Sequence, residues 1–197
     1  MSELKIDPPQ PIPYPNNIII KKLYQTPILL YRLGLGKLIG KYILILSTFG
    51  RKTGRIHRTP VEYFQDQDRL FVISGFGTAP DWFRNLQTDP HVTLNLGEEH
   101  RNMLAYKPQT KQEWDGVLAY LKSSPVSVLS NPGLIHQLDK PEIQQVIKTW
   151  PVLTFKPTQD PCPPPLEADL VWAWPFILIL LAIKLLVGWM IIHSEKR

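Results

Sequence analysis

Between Tyr42 and Pro60 the chain reads YILILSTFGRKTGRIHRTP, an aliphatic run that breaks at Gly50-Arg51-Lys52-Thr53-Gly54-Arg55 before a second extended stretch begins. The aliphatic and β-branched residues before the break, and the two glycines inside it, predict a strand, a tight cationic turn and a returning strand. Gly50 and Gly54 let a backbone come close to a bound group. Arg51, Lys52, Arg55 and Arg58 can place charge-assisted hydrogen bonds on phosphate or carboxylate oxygens. The same residues would also make a solvated basic hairpin, and the residues alone leave both readings open. It is not a Walker loop, because GRKTG lacks the four-residue spacer before Gly-Lys-Thr and no parallel β-α unit follows.

Further short strands are expected on each side of this reversal. Residues 42–48, 56–64, 69–74, 91–96, 101–107 and 152–156 read as strands, with hairpin turns at 65–68 and 97–99. Three helices interrupt them. Asp81 starts a short one carrying Trp82, Phe83 and Leu86. Thr110 and Glu113 have capping-box spacing ahead of Trp114, Val117, Leu118 and Leu121. Pro141 opens a third, with Ile143, Val146 and Ile147 inward. Six short, mostly antiparallel strands with flanking helices predict an α+β fold built on a small barrel.

The formal charge of +5 is modest and concentrated at Arg51, Lys52, Arg55, His57 and Arg58, which suits a small anion or anionic lipid better than a nucleic-acid groove. One cysteine, Cys162, excludes an intrachain disulfide. The N-terminal MSELKIDPPQPIPYP has acids and prolines where a secretory signal needs a basic flank and an apolar run, so no signal peptide is expected. Proline clusters divide the chain into a lead-in (1–15), a basic amphipathic segment interrupted near Pro27 and Gly34 (16–40), a barrel domain (41–157) and a spacer too polar and proline-rich to pack (158–169). The segment 16–40 would cover the barrel or lie on a membrane surface. After the spacer, residues 170–192 are apolar apart from Lys184 and predict a transmembrane helix, followed by a short tail, 193–197.

A second glycine stretch, Ser74-Gly75-Phe76-Gly77, closes a strand so that backbone could lie against a flat ring, and Asp81-Trp82-Phe83-Arg84-Asn85 could supply an aromatic wall. Turn punctuation and ordinary core are equally open readings. The histidines are scattered without metal-ligand spacing, so no metal is expected, and no nucleophile-base pair or carboxylate pair stands out. An enzyme of this kind would take its reactive group from a cofactor.

The succession of strand, GRKTGR, R-T-P, hairpin, SGFG, D-W-F-R-N-L, D-P and V-T-L-N-L resembles the deazaflavin-dependent nitroreductase family, whose cofactor is F420, over about residues 23–157. The resemblance implies a split β-barrel like those that bind flavins, usually dimeric. Arg51, Lys52, Thr53, Gly54 and Arg58 would hold the phosphate and the start of the acidic tail, and Thr59, Pro60 and Val61 would lie along the ring system. Ser74, Gly75, Phe76 and Gly77 would cover its other edge, while Trp82 and Asn85 brace it. No side chain is assigned to catalysis; Ser74 is the candidate. The implied chemistry is hydride transfer from reduced deazaflavin to a lipophilic quinone, enone or nitroaromatic. The alternatives are a non-catalytic cofactor or lipid carrier, with flavin mononucleotide (FMN) or haem in place of F420, and a nucleic-acid-binding barrel. His57-Arg58 stands where many relatives carry two arginines, and residues 123–138 lack the tyrosines that line the substrate side of well-studied members. The weakly basic tail would by itself lie in the cytoplasm. The missing signal peptide and the cytoplasmic cofactor place the barrel there instead.

Overall fold

The computed structural model describes residue 17, residues 22–123 and residues 138–194, with side chains of the last helix described for 174–187 and Trp189. The lead-in 1–15, most of the stretch 123–138 and the end of the tail lie outside the described residues. In chain order the elements are α1 (Thr26–Arg32), α2 (Gly36–Ile39), β1 (Ile43–Phe49), β2 (Ile56–Glu62), β3 (Phe64–Asp66), β4 (Arg69–Ile73), α3 (Asp81–Thr88), β5 (His91–Leu96), β6 (Glu99–Tyr106), α4 (Lys111–Ser123), α5 (Pro141–Ile147), β7 (Val152–Pro157), a 3-10 turn (Val171–Ala173) and α6 (Trp174–Ser194). Pro27 does not interrupt the first helix. It sits in the first turn, where the missing N–H leaves no bond unmade, and Gly34, at φ +80°, follows its end.

The sheet is antiparallel throughout, seven strands in the order β2-β1-β5-β6-β7-β4-β3. The expected six become seven because the run 56–64 turns a corner at Tyr63, whose hydroxyl donates to Gly40 O at 2.7 Å. That corner joins one sheet edge, β2, to the other, β3, through a single residue, so the sheet has to roll until its edges meet. Inside the roll are Leu44, Leu46, Leu70, Val72, Val92, Leu94 and Phe155, with Trp82, Phe83 and Leu86 of α3 added to the same core. Outside β3, β4 and β7 a second core forms from Phe64, Phe71 and Val152 against Trp114, Val117 and Leu121 of α4 and Ile143 and Ile147 of α5. Val146 is only half-buried. The capping box closes as expected: Glu113 N–H donates to Thr110 Oγ1 at 3.2 Å, and Glu113 Oε2 accepts from Thr110 N–H at 2.9 Å.

The proline-rich spacer packs, contrary to the sequence expectation. It runs as a strap over the outer face of β5, β1 and β2. Asn95 exchanges two bonds of 3.0 Å with the Leu166 backbone, Thr93 Oγ1 donates to Pro163 O, and Arg58 Nη2 donates to Pro165 O at 3.2 Å. The reason is chemical: a proline-rich chain presents carbonyls without matching N–H groups, and this strand face offers side-chain donors. Asn95 and Thr93 are thereby buried although polar.

Residues 170–192 fold as the 3-10 turn and α6. The described α6 side chains are exposed apart from half-buried Trp174 and Ile177. Among the described residues no helix is long and apolar enough to cross a membrane.

Candidate functional site

The seam where the two sheet edges meet is walled by the β1-β2 hairpin, the turn after β4 and the N-terminal end of α3, which packs on both β1 and β2. Asn85, 2 % exposed, ties these parts together. It donates to Thr48 Oγ1 at 3.3 Å and accepts from both Arg51 N–H and Arg51 Nη1 at 3.2 Å. Arg51 also donates to Asp81 Oδ1 at 2.8 Å. This bond holds the Asp81 carboxyl below its ordinary range against some desolvation, and the charges of Arg51, Arg84 and His57 add to the effect. Sequence reasoning missed Asp81 and Thr48 as partners. An acid in the first helical turn next to a cationic loop was the available signal for Asp81.

The hairpin is therefore partly committed to itself. Thr53 N–H and Gly54 N–H donate to Gly50 O at 3.1 and 2.8 Å, and Arg55 N–H donates to Thr53 Oγ1 at 3.3 Å. A β-carbon on Gly50 would stand 2.8 Å from the His57 ring, so the tight reversal requires glycine there. Gly54, at φ +65°, faces open space. Arg51 is bound inward, whereas Lys52 and Arg55 are exposed and make no ion pair among the described residues. Those two side chains are the cations presented outward.

Strand alternation divides Thr59, Pro60 and Val61, expected along a ring, and Arg58, expected at the phosphate. Thr59 and Val61 pair with Leu46 and Leu44 and so share the core face, on which Val61 packs. Arg58 and Pro60 pair with Ser47 and Ile45 and face the strap. There a cleft of about 470 Å³ opens, lined by Ile28, Arg32, Ile56, Arg58, Pro165 and Leu166 among others. Arg58 Nε and Ser47 Oγ, directly across the strands, are buried without partners among the described residues.

Ser74 continues the inward row of Leu70 and Val72 at the end of β4. It is 6 % exposed and its Oγ has no partner among the described residues, while its carbonyl accepts from Gly77 N–H at 3.1 Å, with Gly77 at φ +65°. Gly75 is exposed, and Phe76 meets Tyr24 edge-on at 6.0 Å between centroids. Trp82 is 7 % exposed and belongs to the core, where it seats α3 rather than presenting a free aromatic face. Among the described residues no group of three or more His, Cys, Asp or Glu could hold a metal ion.

The rolled antiparallel sheet thus brings to its seam an outward pair of cations, a glycine turn and a buried hydroxyl that has no partner among the described residues. Residues 32–123 match the model of the family described as F420H(2)-dependent quinone reductase. An F420H(2)-dependent quinone reductase of Mycobacterium tuberculosis (strain H37Rv) is 31 % identical over 65 residues, covering 32 % of this chain and 44 % of the relative. A second protein of that strain, provisionally named for the same activity, is 32 % identical over 77 residues, covering 38 % and 65 %. The chain thus spans between about half and two thirds of the curated relatives it matches. Among solved structures, an F420-H2 dependent reductase (FDR-A) aligns with a TM-score of 0.42 at 17 % identity, covering 59 % of this chain and 95 % of that one.

Proposed function

We propose that the protein is a membrane-tethered reductase that uses coenzyme F420 to reduce a lipophilic acceptor of the quinone class. The observation that carries this reading is that the family-matched segment, 32–123, contains the whole seam: the cationic hairpin, Ser74 to Gly77 and α3. The seam's chemistry fits the cofactor. Lys52 and Arg55 would take its phosphate and acidic tail, with the Thr53 hydroxyl as a further donor. Thr59 and Val61 would flank the ring on the core side, and Ser74 Oγ would donate to a ring carbonyl or to the acceptor oxygen, which ends its unpartnered state. Arg51 and Asn85 position the hairpin instead of touching phosphate. When bound, reduced deazaflavin supplies the hydride; the chain's residues orient the ring and keep water from it. The apolar helix α6 anchors the barrel at the membrane, on the cytoplasmic side, where F420 works.

The test is a fluorescence titration of the full chain with F420, followed by oxidation of reduced F420 with a short-tailed quinone. Replacing Lys52 and Arg55 together by alanine is expected to weaken binding about 100-fold, from two charge-assisted bonds of about 1.5–3 kcal/mol each. Absence of F420 binding to the unaltered chain would sink the reading. Binding without any oxidation by quinones or nitroarenes would leave a cofactor carrier in its place.

A further inference from the structure

The helices ahead of β1 and the root of α6 are built as one body. Arg32 grips Asp169 with two bonds of 2.8 Å, Leu170 N–H donates to Arg32 O at 2.9 Å, and Trp174 Nε1 donates to Leu33 O at 2.8 Å. At the turn between α1 and α2, a β-carbon on Gly34 would stand 3.1 Å from Val171 Cγ2. Just ahead of α1, Tyr24 meets Phe76 in the turn after β4, at the end of the seam. This joined body exposes large apolar side chains along its length: Leu23 at 71 %, Tyr24 at 56 %, Leu29 at 47 %, Val171 at 48 %, Trp172 at 66 % and Phe176 at 61 %. A barrel that dangled from a loose spacer would need no such strip.

We infer that this strip is a membrane-docking surface: α1 and the 3-10 turn lie in the lipid interface beside α6, and Tyr24, against Phe76, brings that interface to the end of the seam. Two observations choose lipid over a protein partner. From Leu178 to Val187 every α6 side chain is exposed and only Lys184 is charged, so the apolar surface runs all round the helix. A protein groove covers one stripe of a helix, whereas the acyl layer of a single leaflet can enclose the described part of α6 without being crossed by it. Second, the strip is continuous with that helix through the fixed joint, so whatever medium takes the α6 root also meets Trp172 and Leu29. Exposed Lys22 and Lys41, the latter 4.7 Å over the Tyr42 ring, supply the cation and aromatic pairing that suits an anionic headgroup layer.

The inference rests on the tether reading, and its test separates the two. An environment-sensitive dye is placed at Leu29→Cys in the full chain with Cys162→Ser. The control site is Glu142→Cys on α5, against the other wall of the barrel. Both proteins are mixed with vesicles of phosphatidylglycerol and phosphatidylcholine. Flotation together with a blue shift at position 29, quenching there by doxyl-labelled lipid and no change at 142 is the expected result. Breaking the joint with Arg32→Gln and Asp169→Asn should return the dye at 29 to water while flotation persists. Flotation with an aqueous dye at 29 in the intact chain would overturn the docking surface and leave the tether standing. Absence of flotation would overturn the tether and, with it, this inference. A shift at 29 that needs no vesicles and grows with protein concentration would assign the strip to a second copy of the chain.

Discussion

Replacing Asn85 with alanine removes the bonds that hold the hairpin, β1 and α3 in one arrangement. The Thr48 hydroxyl, on a residue 1 % exposed, would lose its partner out of reach of water, at about 1–3 kcal/mol. Arg51 N–H is only partly buried and recovers a bond to solvent, and Arg51 Nη1 keeps Asp81 at 2.8 Å, so these add about 1 kcal/mol between them. The sum of about 2–4 kcal/mol corresponds to a Tm lowered by roughly 5–12 °C for a barrel of this size. A freed Arg51 also loosens the hairpin that presents Lys52 and Arg55, so F420 affinity should fall about tenfold, or about 1.4 kcal/mol. Asn85→Asp separates the two effects. It keeps acceptors for Arg51 and for a rotated Thr48 hydroxyl, so the Tm should stay within about 3 °C, while the added charge beside an anionic ligand still weakens binding. Differential scanning fluorimetry and F420 titration read both quantities. An alanine variant that melts with the unaltered protein and binds equally well would refute the assignment of Asn85 as the tie.

Other consequences are as direct. Glu113, 5 % exposed, is burdened by desolvation, yet hydrogen bonds from Thr110 N–H, Tyr106 OH, Gln109 N–H and the Thr110 hydroxyl outweigh it and hold its carboxyl at about 2 rather than 4.5. A lowered folded pKa gives stability that is fully present above about pH 4.5 and lost as the pH falls through about 2; Glu113→Gln should therefore cost about 3 kcal/mol near neutrality, a deficit that shrinks on acidification in urea melts. Asn95→Ala should release the strap, seen as at least tenfold faster hydrogen exchange at the Leu166 amide while amides of α4 keep their protection. Gly40→Ala places a β-carbon 2.3 Å from Gly97 N and should destabilise by about 1–3 kcal/mol in chemical denaturation, because backbone rather than a flexible side-chain end has to move.

The strands, α3 and the α4 capping box were legible because each rests on local chemistry: period-two alternation in 91–96, an acid and aromatics after Pro80, and Thr110 three residues before Glu113. The corner at Tyr63 was not legible, since apolar and polar residues continue evenly through 56–64 and the bend depends on a bond to Gly40, far away in sequence. The strap was hidden for a related reason. Its composition describes a chain unable to pair with itself, and only the fold reveals that Thr93 and Asn95 stand ready with donors. The partners of Arg51 were hidden because a motif lists residues in a line; the helix that brings Asp81 and Asn85 to it lies about 30 residues on.

Alternation on β2 also limits what one ligand can touch. Thr59 and Val61 look into the roll while Arg58 and Pro60 look toward the strap, so the side chains of Thr59, Pro60 and Val61, expected along one ring, divide between two faces of the strand. Val61 packs on the core inside the roll, whereas Arg58 borders the cleft beside Arg32. If the ring occupies the seam, Arg58→Gln should leave F420 affinity within about twofold, and its effect should appear in the strap, through the bond to Pro165 O. Loss of F420 binding in Arg58→Gln with the Leu166 amide still protected would instead place the ring at the edge of β2, wrapped toward the strap.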